Sequence, residues 1–318
     1  MIKYIHYILF VLINLSCNRN STASLDKINV LIVDGFSNHD WHQTTLVVKS
    51  ILEKTHRFSV EISTIPIESN STKIENWKPK FANYDVIIQN TNNIQNKELR
   101  WPKEAEKNLE DYVRKGGGLY ILHSANNAFP QWEEYNRMIG LGWRSKDVWP
   151  AIKVNENGSL EKIPKGEGKS TNHGPREDEV VYKLNEHPIN RGFPEAWITP
   201  DTELYQYPRG PAENLTILSY AIHEESEMYW PFEWVVAYGE GRVYSSSMGH
   251  LWKGDTIPKG YQCVGFQTTL IRVTEWLATG QTFYEVPKNI PTKEKKELVA
   301  ISEMLKAIKI EEGSKNQN

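Results

Sequence analysis

Nine histidines occur in 318 residues, and three of them stand just beyond short apolar runs. His39 lies in D-G-F-S-N-H-D-W-H (34–42), His123 opens H-S-A-N-N (123–127), and His250 lies in S-M-G-H-L-W (247–252). A fourth apolar run ends in Q-N-T-N (89–92), which includes Asn90. Imidazole titrates near ambient pH, so such a group can act as base, acid or metal ligand. In D-T-E-L-Y (201–205), Glu203 and Tyr205 are two residues apart. An extended chain turns both to one side, where they suit hydrogen bonding to hydroxyl groups or proton transfer. Trp41 and Trp252 flank these stretches and offer stacking surfaces beside a polar ligand. Arg144 and His173, in a glycine- and charge-rich stretch, add a cation and an imidazole. Metal binding is also an option: His39 and His42 are at i, i+3 with Asp40 between them. His187-Pro188 reads as a turn, and His56 as an exposed helix end.

These residues need elements to position them. The run K-I-N-V-L-I-V-D (27–34) has the continuous apolar character of a buried parallel strand. Residues 43–54 are expected to form a helix, 58–64 a second strand and 85–89 a third. Ala105, Leu109 and Val113 share one face of a helix over 101–115, which ends at K-G-G-G by glycine capping, and a fourth strand follows at 119–122. This alternation predicts an α/β fold with a doubly wound parallel sheet. From 143 to 185 the pattern becomes an irregular insertion of short strand-like pieces. Strands resume at 215–222 and 233–238, the latter forming a hairpin with 242–247 through G-E-G, and a helix over 266–279 closes the domain. Beyond 287 the chain is expected to be a peripheral, Lys/Glu-rich helix and a polar tail. In such sheets ligands bind outside the carboxyl ends of the strands, where the three histidines fall.

Composition narrows the class. The formal charge is -3, from 37 Lys+Arg against 40 Asp+Glu, which disfavours a nucleic-acid partner. Gly-x-Ser-x-Gly does not occur, and the G-G-G run precedes a strand, whereas a dinucleotide fold needs its glycines after one. Residues 1–16 read as a signal segment with a basic Lys3 and a short apolar stretch ending in L-S before Cys17. That arrangement predicts a bacterial lipoprotein, with Cys17 acylated, residues 17–26 a linker, and the lipid bilayer as a partner in the cell envelope. Cys263 is then the second of two cysteines, a buried thiol with no internal disulfide.

The strand-end motif N-H-D-W-H (38–42), G-G-G-L-Y-I-L-H (116–123), H-P-I (187–189), D-T-E-L-Y (201–205) and G-E-G-R-V-Y (239–244) followed by Gly249-His250 resemble the trehalose-utilisation (ThuA-like) family, over about 28–277. The resemblance implies a flavodoxin-like fold related to class I glutamine amidotransferases, over 27–286. It does not imply amidotransferase activity, because no cysteine lies at a strand end. It implies sugar metabolism, with 3-keto-glycosides among the associated substrates. Carried over by position, His39, His123, Glu203, Tyr205 and His250 would line the pocket.

The expected activity is proton abstraction α to a carbonyl, followed by elimination or dehydration of a keto-sugar or uronate-ended oligosaccharide. His123 or His250 would be the base and Tyr205 the acid, with Arg144 or His173 facing a carboxylate or enolate. A divalent metal could replace that donor. The competing expectation is a non-catalytic sugar-binding lipoprotein that uses the same cleft.

Overall fold

The computed structural model describes residues 27–67, 74–256 and 258–300. The signal segment, Cys17 and the tail from 301 onward lie outside the described residues, and with them the lipid-anchor expectation. Strand β1 (Ile28–Asp34) leads into helix α1 (Trp41–Glu53), then β2 (Phe58–Thr64) and β3 (Val86–Gln89). Helix α2 (Lys103–Arg114), β4 (Gly118–Ile121) and the short helix α3 (Glu133–Ile139) follow. The second half contains β5 (Ala151–Val154), β6 (Leu160–Ile163), β7 (Asn172–Lys183), β8 (Ala196–Gln206), β9 (Leu215–His223), β10 (Met228–Tyr238) and β11 (Gly241–Ser246). Helices α4 (Lys259–Gln262) and α5 (Val264–Thr279) close it.

One sheet runs β2-β1-β3-β4-β11-β10-β9-β7-β8, with β5 paired to β10 and β6 to β5. The first five strands are parallel in the flavodoxin order, whose switch point lies between β1 and β3. Side chains along a strand alternate, and here both faces are covered. Val30 and Ile32 of β1 pack with α1 and α5, while Leu31 and Val33 pack with α2 and α3. This is why the run reads as continuously apolar. Helix α2 ends in two capping bonds, Gly116 N–H to Val113 O at 3.0 Å and Gly117 N–H to Tyr112 O at 3.0 Å. Gly116 has φ 109°, which suits glycine. Gly118 starts β4 where a Cβ would lie 2.7 Å from Leu277 O, so sheet and α5 meet there without a side chain.

The insertion differs from the sequence expectation. Residues 172–183 form β7, twelve residues long and part of the main sheet. Its N-H-G-P-R-E-D-E stretch is mostly exposed and interrupted by two irregularities in its pairing with β8, so it carries no apolar alternation to announce a strand. The expected terminal helix is not seen in the described part. Up to Ala300 the chain is turn or extended, joined to the domain by Val299 N–H to Gln262 O at 2.8 Å. Cys263 is buried, and burial pushes its thiol up to about 11, as a core thiol.

Candidate metal centre

Each histidine arrives by a different local device. After β1, Gly35 takes φ 128° where a Cβ would meet Ile65 O at 2.7 Å, and the chain turns sharply. Asp40 caps α1: its carboxylate accepts the Gln43 N–H at 3.0 Å. His39 is thereby free to face inward. Its Nδ1 lies 3.0 Å from Asn38 Oδ1, which also accepts from Asn92 Nδ2 at 2.7 Å. After β4, His123 adopts φ 42°, an uncommon conformation for a side-chain-bearing residue that costs on the order of 1–3 kcal/mol. Its Nδ1 donates to Ser247 O at 2.9 Å. Both imidazoles therefore carry hydrogen on Nδ1 and present a bare Nε2, and both Nε2 atoms are buried without a hydrogen-bond partner.

Glu203 of β8 meets them from the other half of the sheet. Its carboxylate oxygens lie 4.0 Å from His123 Nε2, 3.3 Å from His250 Nε2 and 3.8 Å from His173 Nε2. One donor atom from each of His39, His123, Glu203 and His250 falls within 4.8 Å of all the others. A tetrahedral divalent ion with bonds of about 2.0–2.2 Å spaces its ligands roughly 3–3.5 Å apart, so small side-chain rotations would close the set around one. Electrostatics favour the ligand forms. Burial, helped by the neighbouring imidazoles, holds His39 down to about 3 and His123 well below its usual value. Burial and the Arg176 charge hold His250 down to about 4. Neutral imidazoles beside a carboxylate are what a divalent cation requires.

His39, Glu203 and His250 of the cluster line a cavity of about 380 Å³, with His123 packed behind them. Trp143 and Trp252 stand in its walls, with Tyr205, His173, Asn38 and Asn127 between them. Trp252 is 44% exposed and lies parallel to His250, with ring centroids 6.1 Å apart. Tyr205 is buried against Trp143 and its hydroxyl meets Asn127; burial pushes that phenol far up, so it keeps its proton at neutral pH.

The model of the trehalose-utilisation family, ThuA, matches residues 29–277. The chain belongs to this family. Its fold is close to that of a ThuA-like protein from Parabacteroides merdae ATCC 43184, with a TM-score of 0.79 and 31% identity, covering 86% of this chain and 98% of that one. A ThuA-like protein from Bacteroides uniformis ATCC 8492 is also similar, at 16% identity and TM-score 0.49, covering 80% of this chain and 94% of that one. None of the curated proteins matches.

Within this ThuA-like fold, His39, His123, His173, Glu203, Tyr205, His250 and Trp252 come together. Trp41, Asn90 and Arg144 do not. Trp41 starts α1 and packs edge-on to His42. Asn90 ties β3 to α1 through Trp41 O at 2.9 Å and Thr45 Oγ1 at 3.0 Å. Arg144 is buried and donates to Asn136 Oδ1 and to the carbonyls of Asn126, Trp143 and Ala128, so it holds a loop together instead of facing a ligand. Arg176 and Asp255 line the cavity without having been singled out in the sequence. Both lie in charge-rich stretches that read as solvated surface. Asn38 and Asn127 had a usable signal, since both lie in the polar runs at strand ends.

Proposed function

We propose that this chain is an exported, metal-dependent carbohydrate-active enzyme that splits neutral keto-glycosides by elimination. The observation that carries the reading is the four-residue cluster with its two orphaned imidazole nitrogens, three of whose members line an aromatic-walled cavity. The family's association with trehalose utilisation supports a sugar substrate. Export with a lipid anchor rests on the pattern of residues 1–17. Tryptophan faces at the walls and amides between them suit a sugar's apolar face and its hydroxyls.

The charges favour a ketone over a uronate. Arg144 is committed to carbonyls, and Arg176, the cavity's one guanidinium, is held by Asp201 and Asp255 at 2.9 Å each. Among the residues lining the cavity no guanidinium is then free to face a uronate carboxylate, and Glu203 and Asp255 would repel it. A bound divalent cation would act as a Lewis acid on the sugar carbonyl. His173 is the base: its Nδ1 faces Gly174 O at 2.6 Å, which leaves Nε2 to take a proton. In a 3-keto-glycoside that proton comes from C2. The C1–O bond breaks, a C1=C2 double bond forms, and the aglycone leaves as an alcohol with a proton from Tyr205. His123 is not among the residues that line the cavity, whereas His173 and Tyr205 are, so it does not take this role.

The test is incubation of the full chain with neutral 3-keto-glycosides and with uronate-ended oligosaccharides, with and without Zn²⁺ or Mn²⁺. Release of the aglycone and an enone absorbance, lost with a chelator, is the expected result. Binding without any change of mass under every metal condition would make the chain a sugar-binding protein and overturn the proposal.

A further inference from the structure

The hydrogen bonds around the cluster do not treat its three histidines alike. His39 and His123 each point Nδ1 at an oxygen that can only accept, so both present a bare Nε2 toward the centre. His250 is reversed. Its Nδ1 lies 3.2 Å from Arg176 Nη1. A guanidinium only donates, so this Nδ1 accepts, and the ring's hydrogen sits on Nε2, the nitrogen 3.3 Å from Glu203 Oε1. An N–H directed at a cation repels it. To ligate through Nε2, His250 would have to move its hydrogen to Nδ1, directly against the guanidinium.

Arg176 is not a loose surface side chain. Its Nε meets Asp201 Oδ1 at 2.9 Å and its Nη1 meets Asp255 Oδ2 at 2.9 Å. Asp201 is itself fixed in a left-handed conformation, φ 57°, at the irregular stretch of β8, and Asp255 also accepts the Trp252 N–H at 2.9 Å. The guanidinium is thus aimed from two elements at once, β8 and the loop after His250.

Building on the metal reading above, we propose that Arg176 is a positioning residue that keeps His250 out of coordination. His39, His123 and Glu203 then hold the cation, one position stays open toward the cavity, and His250 offers its N–H beside that position. Three protein ligands with an open position are the mark of catalytic sites, whereas four close a site into a structural one. An N–H at that place is also suited to an oxygen gaining negative charge. The device explains how a cluster that could supply four ligands still leaves room for a substrate.

The experiment titrates the metal-free full chain with Co²⁺ and Zn²⁺, reading affinity and the visible Co²⁺ spectrum. His250→Gln should bind within about 3-fold of the unsubstituted protein, while His39→Gln should lose about 100-fold or more. Arg176→Met should bind about 10-fold tighter and gain visible Co²⁺ absorbance, as a fourth imidazole enters and the geometry becomes tetrahedral. Circular dichroism checks that Arg176→Met is folded, and the His250→Gln titration carries the test by itself if it is not. The inference is overturned if His250→Gln loses as much affinity as His39→Gln, or if folded Arg176→Met gains neither affinity nor absorbance. If the unsubstituted protein takes up neither ion, the metal reading itself fails and takes this inference with it.

Discussion

The two halves of the sheet bring opposite chemistry to one cavity. The parallel half, β2-β1-β3-β4-β11, is covered on both faces except at its edge strand β2, and supplies neutral imidazoles at strand ends. The antiparallel half supplies ionisable groups: Glu203 and Asp201 from β8, and His173 and Arg176 from the exposed part of β7. His39 and His123 of the first set are anchored by amide and backbone oxygens within tight turns, and His123 even keeps a strained φ. The second set is half-exposed and linked mainly by charge. A rigid frame thus fixes lone pairs, while the more open frame holds the groups that carry charge and move protons.

The comparison is broken most severely by removing one donor from each side. His123→Ala from the parallel half and Glu203→Gln from the antiparallel half should each lower zinc affinity by about 100-fold or more and abolish aglycone release. Isothermal titration and a turnover assay would check both. If His123→Ala binds metal normally, the parallel half supplies scaffolding only and the contrast collapses.

A smaller effect separates the halves by packing. Leu109 of α2 is fully buried against the parallel strands, so Leu109→Ala should cost about 2–5 kcal/mol in urea unfolding. Glu177→Ala on exposed β7 should stay within about 0.5 kcal/mol. Comparable losses at both positions would show that β7 is packed against something other than solvent.

This packing difference also explains what could be read from the sequence. Strands β1, β3 and β4 and helices α1 and α2 were legible because burial on both faces forces apolar runs such as 30–33 and capping forces glycine at 116, while β2 was legible by its alternation. His39, His123 and His250 were legible for the same reason, as polar residues just past such runs. Strand β7 was not, since N-H-G-P-R-E-D-E is mostly exposed and its one buried side chain, Glu179, is a carboxylate, so no apolar period announces it. Arg176 was lost with it, and Asp255 lies in the polar loop after His250, where no period marks it either. Arg144 misled in the opposite way: a cation in a polar stretch looks like a ligand contact, yet its partners are carbonyls distant in sequence. Hydrogen-bond satisfaction of a buried guanidinium leaves no periodic trace.

Acid should weaken the parallel half's contribution. Unfolded histidine titrates near 6.5, whereas His39 and His250 fold with values of about 3 and about 4. Between these limits the unfolded chain binds more protons, so the metal-free protein should lose stability as pH falls from 6.5 toward 4. Urea midpoints at pH 7.5, 5.5 and 4.5 would trace that loss. His39→Gln, lacking one such group, should show a shallower slope, and an unchanged slope would mean that His39 is not buried neutral.

The antiparallel half should respond with the reverse sign. Glu179 of β7 is 8% exposed, and burial together with Glu177 and Glu224 raises its carboxyl to about 7 from an ordinary 4.5. Between 4.5 and 7 the folded chain is the one that binds the extra proton, so this group's contribution is present at low pH and lost as pH rises through 7. Glu179→Gln mimics the protonated acid at every pH. It should therefore leave the melting temperature unchanged near pH 4.5 and raise it by about 2 °C near pH 8. A gain of the same size at both pH values would mean that the glutamine improves packing, and that charge is not what limits this edge of the sheet.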